Sequence, residues 1–493
     1  MRLLPLCDRR FYMENNKLLR AKPSEMGVDP KAILSFVNAL EEQQLGIHSF
    51  MLMRHNKVVA EGWWNPFKPT YNHELYSLSK SFTSIAIGFA VQEGILSVED
   101  YVVSYFKEKL PCEPCENMKK MKIKHLLNMC TGHSVEPNAF EGQDWVYLFL
   151  TSYIDCEPGS IFVYNTPATY MLSAILQKIT GITTYDFLQP RLFGPLGISD
   201  IWWATCPKGI STGGFGLNAK TEDIAKFGTF LLNKGKWEGK QLLNSEWIEK
   251  ASSKLIESLS NPDTAEQSPN DWLKGYGYQI WRCKPEGVYR GDGAFGQYCI
   301  VMPEQDAVLA IQSGVDDTQS VLDNIWEILL PAMKNSVPED KESQTALEEK
   351  LSGLVYPTPA GEATSPIADK VSRIEYEVSE NLAKITKIAF DFADTNKVTL
   401  IRGEESYTAE IGYQKWIDNQ IGINNEDEKT FLICNDISCA GAWIKEDTFR
   451  YEILYNRIPT KEIFEIKYHE KGISISFERK HCFDAVKYNM MGW

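Results

Sequence analysis

Tyr76-Ser77-Leu78-Ser79-Lys80-Ser81-Phe82-Thr83-Ser84, continued by Ile85-Ala86-Ile87-Gly88-Phe89-Ala90-Val91 and closed by Glu93-Gly94, is the stretch on which the fold turns. Phe82, Ile85 and Phe89 fall on one helical face and Gly94 is a natural C-terminal cap, so a helix is expected. Ser77 then stands at its start, with Lys80 one turn later on the same side. A serine hydroxyl becomes a nucleophile when a neighbouring base takes its proton, and a lysine can do so once burial lowers its pKa toward neutrality. A helix N-terminus also offers backbone N–H groups to a developing oxyanion, and losing one such donor costs about 3 kcal/mol of transition-state stabilisation. Ser-x-x-Lys by itself matches any capped helix with a surface lysine, so its meaning depends on the rest of the chain.

Working outward, residues 29–42 carry Ile33, Phe36, Val37 and Leu40 at helical spacing behind an Asp29-Pro30 cap. Residues 49–53 and 57–63 flank the polar turn Arg54-His55-Asn56 and predict a β-hairpin. Strand signals return only at 276–281, 298–302 and 307–311, before a helix over 319–333. One antiparallel sheet made from both ends of the segment, with an α-rich insertion between them, is an α+β pattern. The charged, proline-containing stretch after Asn335 predicts a linker over 336–350, separating a domain of residues 1–335 from one of 351–493. In the latter, β-formers at 373–378, 397–401, 449–455 and 473–477 predict a small all-β domain, either meander barrel or sandwich.

Four blocks stand in fixed order: Tyr76 to Thr83; Glu93-Gly94-Ile95-Leu96-Ser97-Val98-Glu99-Asp100; Ile123-Lys124-His125-Leu126-Leu127-Asn128; and the run from Gly214-Phe215-Gly216-Leu217 to Lys226-Phe227-Gly228. In these blocks the chain, from about residue 24 to 333, resembles the serine β-lactamase and penicillin-binding-protein-like hydrolase family. The resemblance implies a penicillin-binding-protein-like fold, an antiparallel five-stranded sheet with flanking helices and an α-helical insertion, and catalysis through a Ser77 acyl-enzyme with Lys80. It also implies that Tyr164, in Pro158-Gly159-Ser160-Ile161-Phe162-Val163-Tyr164-Asn165-Thr166, relays protons to the leaving group, which requires adjacent cations to hold its pKa down. Thr166 stands where the family has Asn or Ser, and Asn165 and Thr166 are both candidate substrate contacts.

The family's Lys/His-Thr/Ser-Gly strand is replaced by Tyr289-Arg290-Gly291-Asp292-Gly293-Ala294-Phe295-Gly296-Gln297-Tyr298. A Gly-rich strand edge admits substrate backbone, so Gly293, Ala294 and Phe295 form the candidate oxyanion strand, with an N–H near Ala294 or Phe295 as second donor. Asp292 has the wrong sign for gripping a carboxylate, a group carried by penicillins and by cell-wall peptides ending in D-alanine; Arg290 is the candidate that compensates.

Composition narrows the partners. A formal net charge of -15 opposes nucleic-acid binding, which needs cationic side chains to displace counterions. No run of about 18 apolar residues spans a bilayer, and the broken apolar start at residues 1–10 is no secretory leader, so a cytoplasmic location is expected. The 11 cysteines are scattered, and Cys112-Glu113-Pro114-Cys115 lacks a second metal-spaced pair, so free thiols are expected. The histidines show no zinc spacing; no metal and no cofactor are expected. His133 is a candidate substrate contact, and Trp63-Trp64, Trp202-Trp203 and Trp272 are expected mainly in cores.

The function expected is a serine hydrolase acting on a small ester or amide, carboxylesterase- or amidase-like. The alternatives are a β-lactamase, a D-alanyl-D-alanine carboxypeptidase or a D-aminopeptidase and, from another class, a non-catalytic penicillin- or peptide-binding sensor. The sequence does not specify an oligomeric state.

Overall fold

The computed structural model describes residues 18–110, 112–258, 268–393, 396–422 and 435–493; the stretch 1–10 read for a leader lies outside them. Helix α1 (Pro30–Glu42) starts where Asp29 accepts the Lys31 N–H at 2.9 Å, with proline in its first turn. The hairpin strands β1 (Ile47–Arg54) and β2 (Lys57–Trp63) join β3 (Tyr289–Gly293), β4 (Gln297–Met302) and β5 (Ala307–Ser313) in the order β2-β1-β5-β4-β3. All four pairings are antiparallel, as expected for the five-stranded sheet. Two-residue strands extend its edges, Leu19–Arg20 parallel to β2 and Trp281–Arg282 beside β3. The strand expected over 276–281 shrinks to that second edge because Gln279 takes a left-handed φ of 62° and a turn returns the Gly277 N–H to the Ile280 carbonyl.

Both faces of this sheet are covered, so every residue of β1 is buried. Phe50 and Leu52 join α1 and the closing helical segment around Val321, Ile325 and Leu329. Met51 and Met53 point the other way, into a larger core with the helical insertion. At the centre of that core lies α2 (Ser79–Gln92), buried from Ser79 to Ala90, beside α3 (Thr166–Thr180) and α4 (Thr221–Leu232).

The segment expected as a linker, 336–350, is not irregular throughout: from Lys341 it forms α5 (Lys341–Ser352), capped by Asp340. Leu347 is its one fully buried residue, packed in the core that α1 shares, and Lys350 pairs with Glu41. Two leucines, Leu347 and the partly buried Leu351, on an otherwise charged helix leave little amphipathic signal in the sequence.

Beyond α5, ten strands from Glu375–Glu377 to Val486–Gly492 run as an antiparallel meander in sheets of four and six. The first and last strands meet: Glu377 and Trp493 exchange backbone hydrogen bonds at 3.1 Å, and Val378 bridges Gly492. The two sheets share one core, which makes this region barrel-like, with its end strands paired rather than left as free edges. It is docked on the first region through Trp416, Ala440 and Leu454, which lie in the core of α1. Trp416 Nε1 donates to the Tyr356 carbonyl at 2.8 Å, Lys68 pairs with Asp418, and the Glu74 N–H donates to the Arg457 carbonyl at 2.8 Å.

Candidate active site

Ser77 lies in a 3-10 turn, Tyr76–Leu78, and α2 begins only at Ser79. The turn is tight: Tyr76 adopts a left-handed φ of 46°, an uncommon conformation for an aromatic residue. Its N–H is held at 3.0 Å by Glu74 Oε1. The same buried carboxylate accepts from the Gly216 N–H at 2.8 Å and from Asn218 Nδ2 at 2.9 Å, tying the turn to the Gly-rich block. Burial lifts the Glu74 pKa to about 7 despite these donors. Glu74 is absent from the residues expected at the site. A carboxylate between His73 and Leu75, ahead of a buried helix, was the available signal.

Lys80 is 1% exposed. Its Nζ donates to Ser77 Oγ at 3.0 Å, to the Gly214 carbonyl at 2.9 Å and to Thr166 Oγ1 at 3.3 Å, and lies 4.9 Å from the centre of the Tyr164 ring. All three acceptors are neutral. Desolvation lowers the lysine pKa to about 7, with the charges of Glu136 and Asp292 opposing it weakly from a distance. Gly214 is required here, since a Cβ at that position would stand 2.7 Å from the Thr166 methyl.

Burial, joined by the nearby Asp292 charge, pushes the Tyr164 phenol well above the ordinary tyrosine value, against a lowering contribution from the Ser77 hydroxyl. The expected lowering by adjacent cations is thus reversed: the ring stacks on Trp281 at 5.4 Å and stays protonated. A phenol so raised can donate a proton and is not a resting phenolate.

Three candidate substrate contacts, Asn165, Arg290 and His133, are occupied elsewhere. Asn165 is fully buried: its Oδ1 caps α3 by accepting the Ala168 N–H at 2.9 Å, and its Nδ2 donates to Thr131 Oγ1 at 3.1 Å. Thr166, the next residue, faces the pocket instead. Arg290 is also fully buried and does not line the pocket. Its Nε donates to Asp292 Oδ2 at 3.0 Å, its Nη1 to the Arg282 carbonyl at 3.1 Å, and its plane lies 4.6 Å from the Trp272 ring. Burial acts to lower its pKa, but the Asp292 charge outweighs that and keeps it cationic. Asp292 and not Arg290 reaches the pocket wall. His133 is likewise internal, bonded to Thr131 Oγ1 at 2.8 Å and Ser152 Oγ at 2.7 Å.

Gly293 and Ala294 line the pocket, and Phe295 turns behind them at φ 61°. A Cβ on Gly293 would lie 2.1 Å from the Leu75 carbonyl, so only glycine lets the end of β3 approach the Ser77 turn this closely. The cavity of about 900 Å³ above Ser77 is walled by Tyr76, Phe140, Tyr164, Phe215, Trp272, Trp281 and Phe483, with Glu74, Glu136 and Asp292 as its acidic members. Most of these rings escape sequence reasoning because they converge from distant segments. Trp64 conforms to the core expectation, buried with Nε1 bonded to Glu41 at 2.9 Å; Trp272 packs on the edge of the core while also lining the cavity, and Trp202 departs from the expectation, 42% exposed.

Among the described residues no group of three or more His, Cys, Asp or Glu side chains is placed to hold a metal ion, and no helix is long and apolar enough to cross a membrane. Cys112 and Cys115 are exposed and unpaired, and Cys115 Sγ accepts the Met118 N–H at 3.5 Å.

The sequence and the fold have counterparts. The 6-aminohexanoate-dimer hydrolase of Paenarthrobacter ureafaciens is 23% identical over 319 residues, 60% of this chain and 80% of that protein. In structure, the octameric penicillin-binding protein homologue from Pyrococcus abyssi is similar at a TM-score of 0.50 and 15% identity, covering 94% of this chain and 99% of that one. EstCE1, a hydrolase with promiscuous acyltransferase activity, has a similar fold at a TM-score of 0.50 and 15% identity, covering 60% of this chain and 99% of its own. The Beta-lactamase family model matches residues 36–332, more than half the chain and the span that holds the Ser77 turn, α2, Tyr164 and β3. On that match, and with this fold around it, the chain belongs to the beta-lactamase family of serine hydrolases.

Proposed function

We propose that the protein hydrolyses an ester or amide through a Ser77 acyl-enzyme, with Lys80 as base and Tyr164 as relay. One observation carries the reading: Lys80 Nζ stands 3.0 Å from Ser77 Oγ, buried among neutral acceptors and with a pKa of about 7. Neutral Lys80 takes the Ser77 proton as Oγ attacks the carbonyl carbon. The negative oxygen that forms is held by the Ser77 and Ala294 N–H groups at the meeting of turn and strand. Collapse breaks the bond to the leaving group, which takes a proton from Tyr164, and Lys80 returns that proton to the phenol. Water then attacks the acyl ester, freeing the acid and restoring Ser77.

Carboxylate-bearing substrates are disfavoured, because Glu74, Glu136 and Asp292 line the cavity while Arg290 is committed to Asp292. We therefore place an esterase or amidase ahead of a β-lactamase or a D-alanyl-D-alanine carboxypeptidase. A sensor that only binds needs none of the Ser77, Lys80 and Tyr164 arrangement. The reading assigns catalysis to residues 1–335 and gives the β-region from residue 351 an accessory role.

The test is intact-protein mass after brief exposure to an activated acyl ester and, separately, to a penicillin, with Ser77→Ala as control. A stoichiometric adduct from the ester, absent in the control, is expected. An adduct on the Ser77→Ala protein, or a penicillin adduct without an ester adduct, would overturn the assignment.

A further inference from the structure

Part of the cavity wall comes from the last strands of the β-region. Phe483 lies in the turn between the last two strands, Gly472–Lys480 and Val486–Gly492, and its ring is 5.7 Å from that of Tyr76 and 5.4 Å from that of Phe295. Tyr76 and Phe295 are themselves 5.5 Å apart, edge to face, so three rings from three segments form one cluster beside Ser77. Phe483 lines the cavity yet is 81% exposed, an unusual state for a phenylalanine already in contact with two rings.

The turn is held firmly. Arg479 donates to Asp484 at 2.8 Å and to Glu462 at 2.9 Å, and Glu462, fully buried, is gripped from the other side by Arg402. His481 Nδ1 lies 3.3 Å from Asp316, whose near neighbour Thr318 also lines the cavity. A ring presented on such a base is preorganised rather than a mobile cover.

We propose that Phe483 is a specificity-determining residue, and that the β-region selects substrates whose larger group is uncharged and aromatic. This rests on the hydrolase reading of the same cavity. An aromatic group entering it meets ring faces and edges from Tyr76, Phe140, Phe215, Trp281 and Phe483 and removes the exposed face of Phe483 from water. The carboxylates of Glu136 and Asp292 repel an anionic group of the same size.

The experiment compares kcat/KM for two matched pairs, 4-nitrophenyl acetate against 4-nitrophenyl phenylacetate and ethyl acetate against benzyl acetate, in the full chain and in Phe483→Ala and Phe483→Leu. The full chain is expected to prefer the member with the additional phenyl ring in at least one pair, Phe483→Ala to lose about tenfold of that preference, and Phe483→Leu to recover part of it. An unchanged preference in Phe483→Ala, or no aromatic preference in the full chain, would overturn the proposal. The Ser77→Ala control separates the two claims: turnover that persists in Ser77→Ala but loses its aromatic preference in Phe483→Ala would sink the Ser77 reading and leave the role of Phe483 standing.

Discussion

Two buried cations flank the cavity, and they are built in opposite ways. Lys80, at the start of α2, bonds a hydroxyl, a second hydroxyl and a carbonyl, with no carboxylate in contact. Arg290, on β3, has Asp292 at 3.0 Å. Burial penalises both charges, but only Lys80 is left to bear the penalty, so it gives up its proton near pH 7 while Arg290 stays charged. The first site thus holds an amine without a counter-charge, and the second a fixed ion pair that presents Asp292 to the cavity and withholds the guanidinium. Packing that merely tolerates a charge supplies a partner; the absence of one around Lys80 is what suits it to catalysis.

The comparison can be broken most directly at Lys80. Lys80→Ala should lower kcat by on the order of a hundredfold or more, measured on the ester that acylates the full chain. Tyr164→Phe should fall in the same range, since its hydroxyl cannot be replaced by the ring. Retention of full turnover in either would remove the residue from the mechanism.

Next in size is the ion pair. Asp292→Asn leaves Arg290 buried without its counter-charge, and an uncompensated buried charge costs about 3–5 kcal/mol. Denaturant titration should show that loss, whereas Lys80→Met should show no loss. A stable Asp292→Asn protein would mean that the two cations are not built differently after all.

The pH dependence sharpens the contrast. The proposed mechanism needs Lys80 deprotonated for attack, so kcat/KM should rise about tenfold per pH unit below 7 and level off above it. The stability linkage has the matching sign. A lysine whose folded pKa of about 7 lies below its unfolded value of 10.5 binds more protons in the unfolded state between those limits. Its burden is therefore full below pH 7 and is relieved as pH rises toward 10.5. Lys80→Met should accordingly melt higher than the parent at pH 6, with the difference shrinking by pH 10. A difference independent of pH would place the effect in packing instead.

The smallest effect is expected far from the cavity. Replacing Cys112 and Cys115 together by serine should leave turnover and melting temperature within error, as both thiols are exposed and unpaired. Loss of folding would assign that loop a role that its geometry does not suggest.

How much of this was legible depends on sequence distance. Ser77 and Lys80 are three residues apart, so helical periodicity alone puts them together. Arg290 and Asp292 lie two apart on a strand and therefore share a face; their pairing was implicit in the alternation, yet Arg290 was expected at the substrate. The choice between Asn165 and Thr166 was open because either polar side chain could face inward, and the start of α3 settled it by taking Asn165 as its cap.

By itself, then, the sequence determined the local chemistry: a serine and a lysine on one helical face, a glycine-edged strand without a lysine, and an α+β segment followed by β-strands. These follow from periodicity and backbone preference, which act over a few residues. The tertiary structure decided the rest. Lys80 is left without a counter-charge because Thr166 and Gly214, 86 and 134 positions away, meet its ammonium without a carboxylate, which is what fits it to the base role proposed. Phe483 reaches the cavity wall because the β-region docks beside the Ser77 turn. Desolvation and enclosure are properties of what surrounds a residue in space, and no local pattern encodes them.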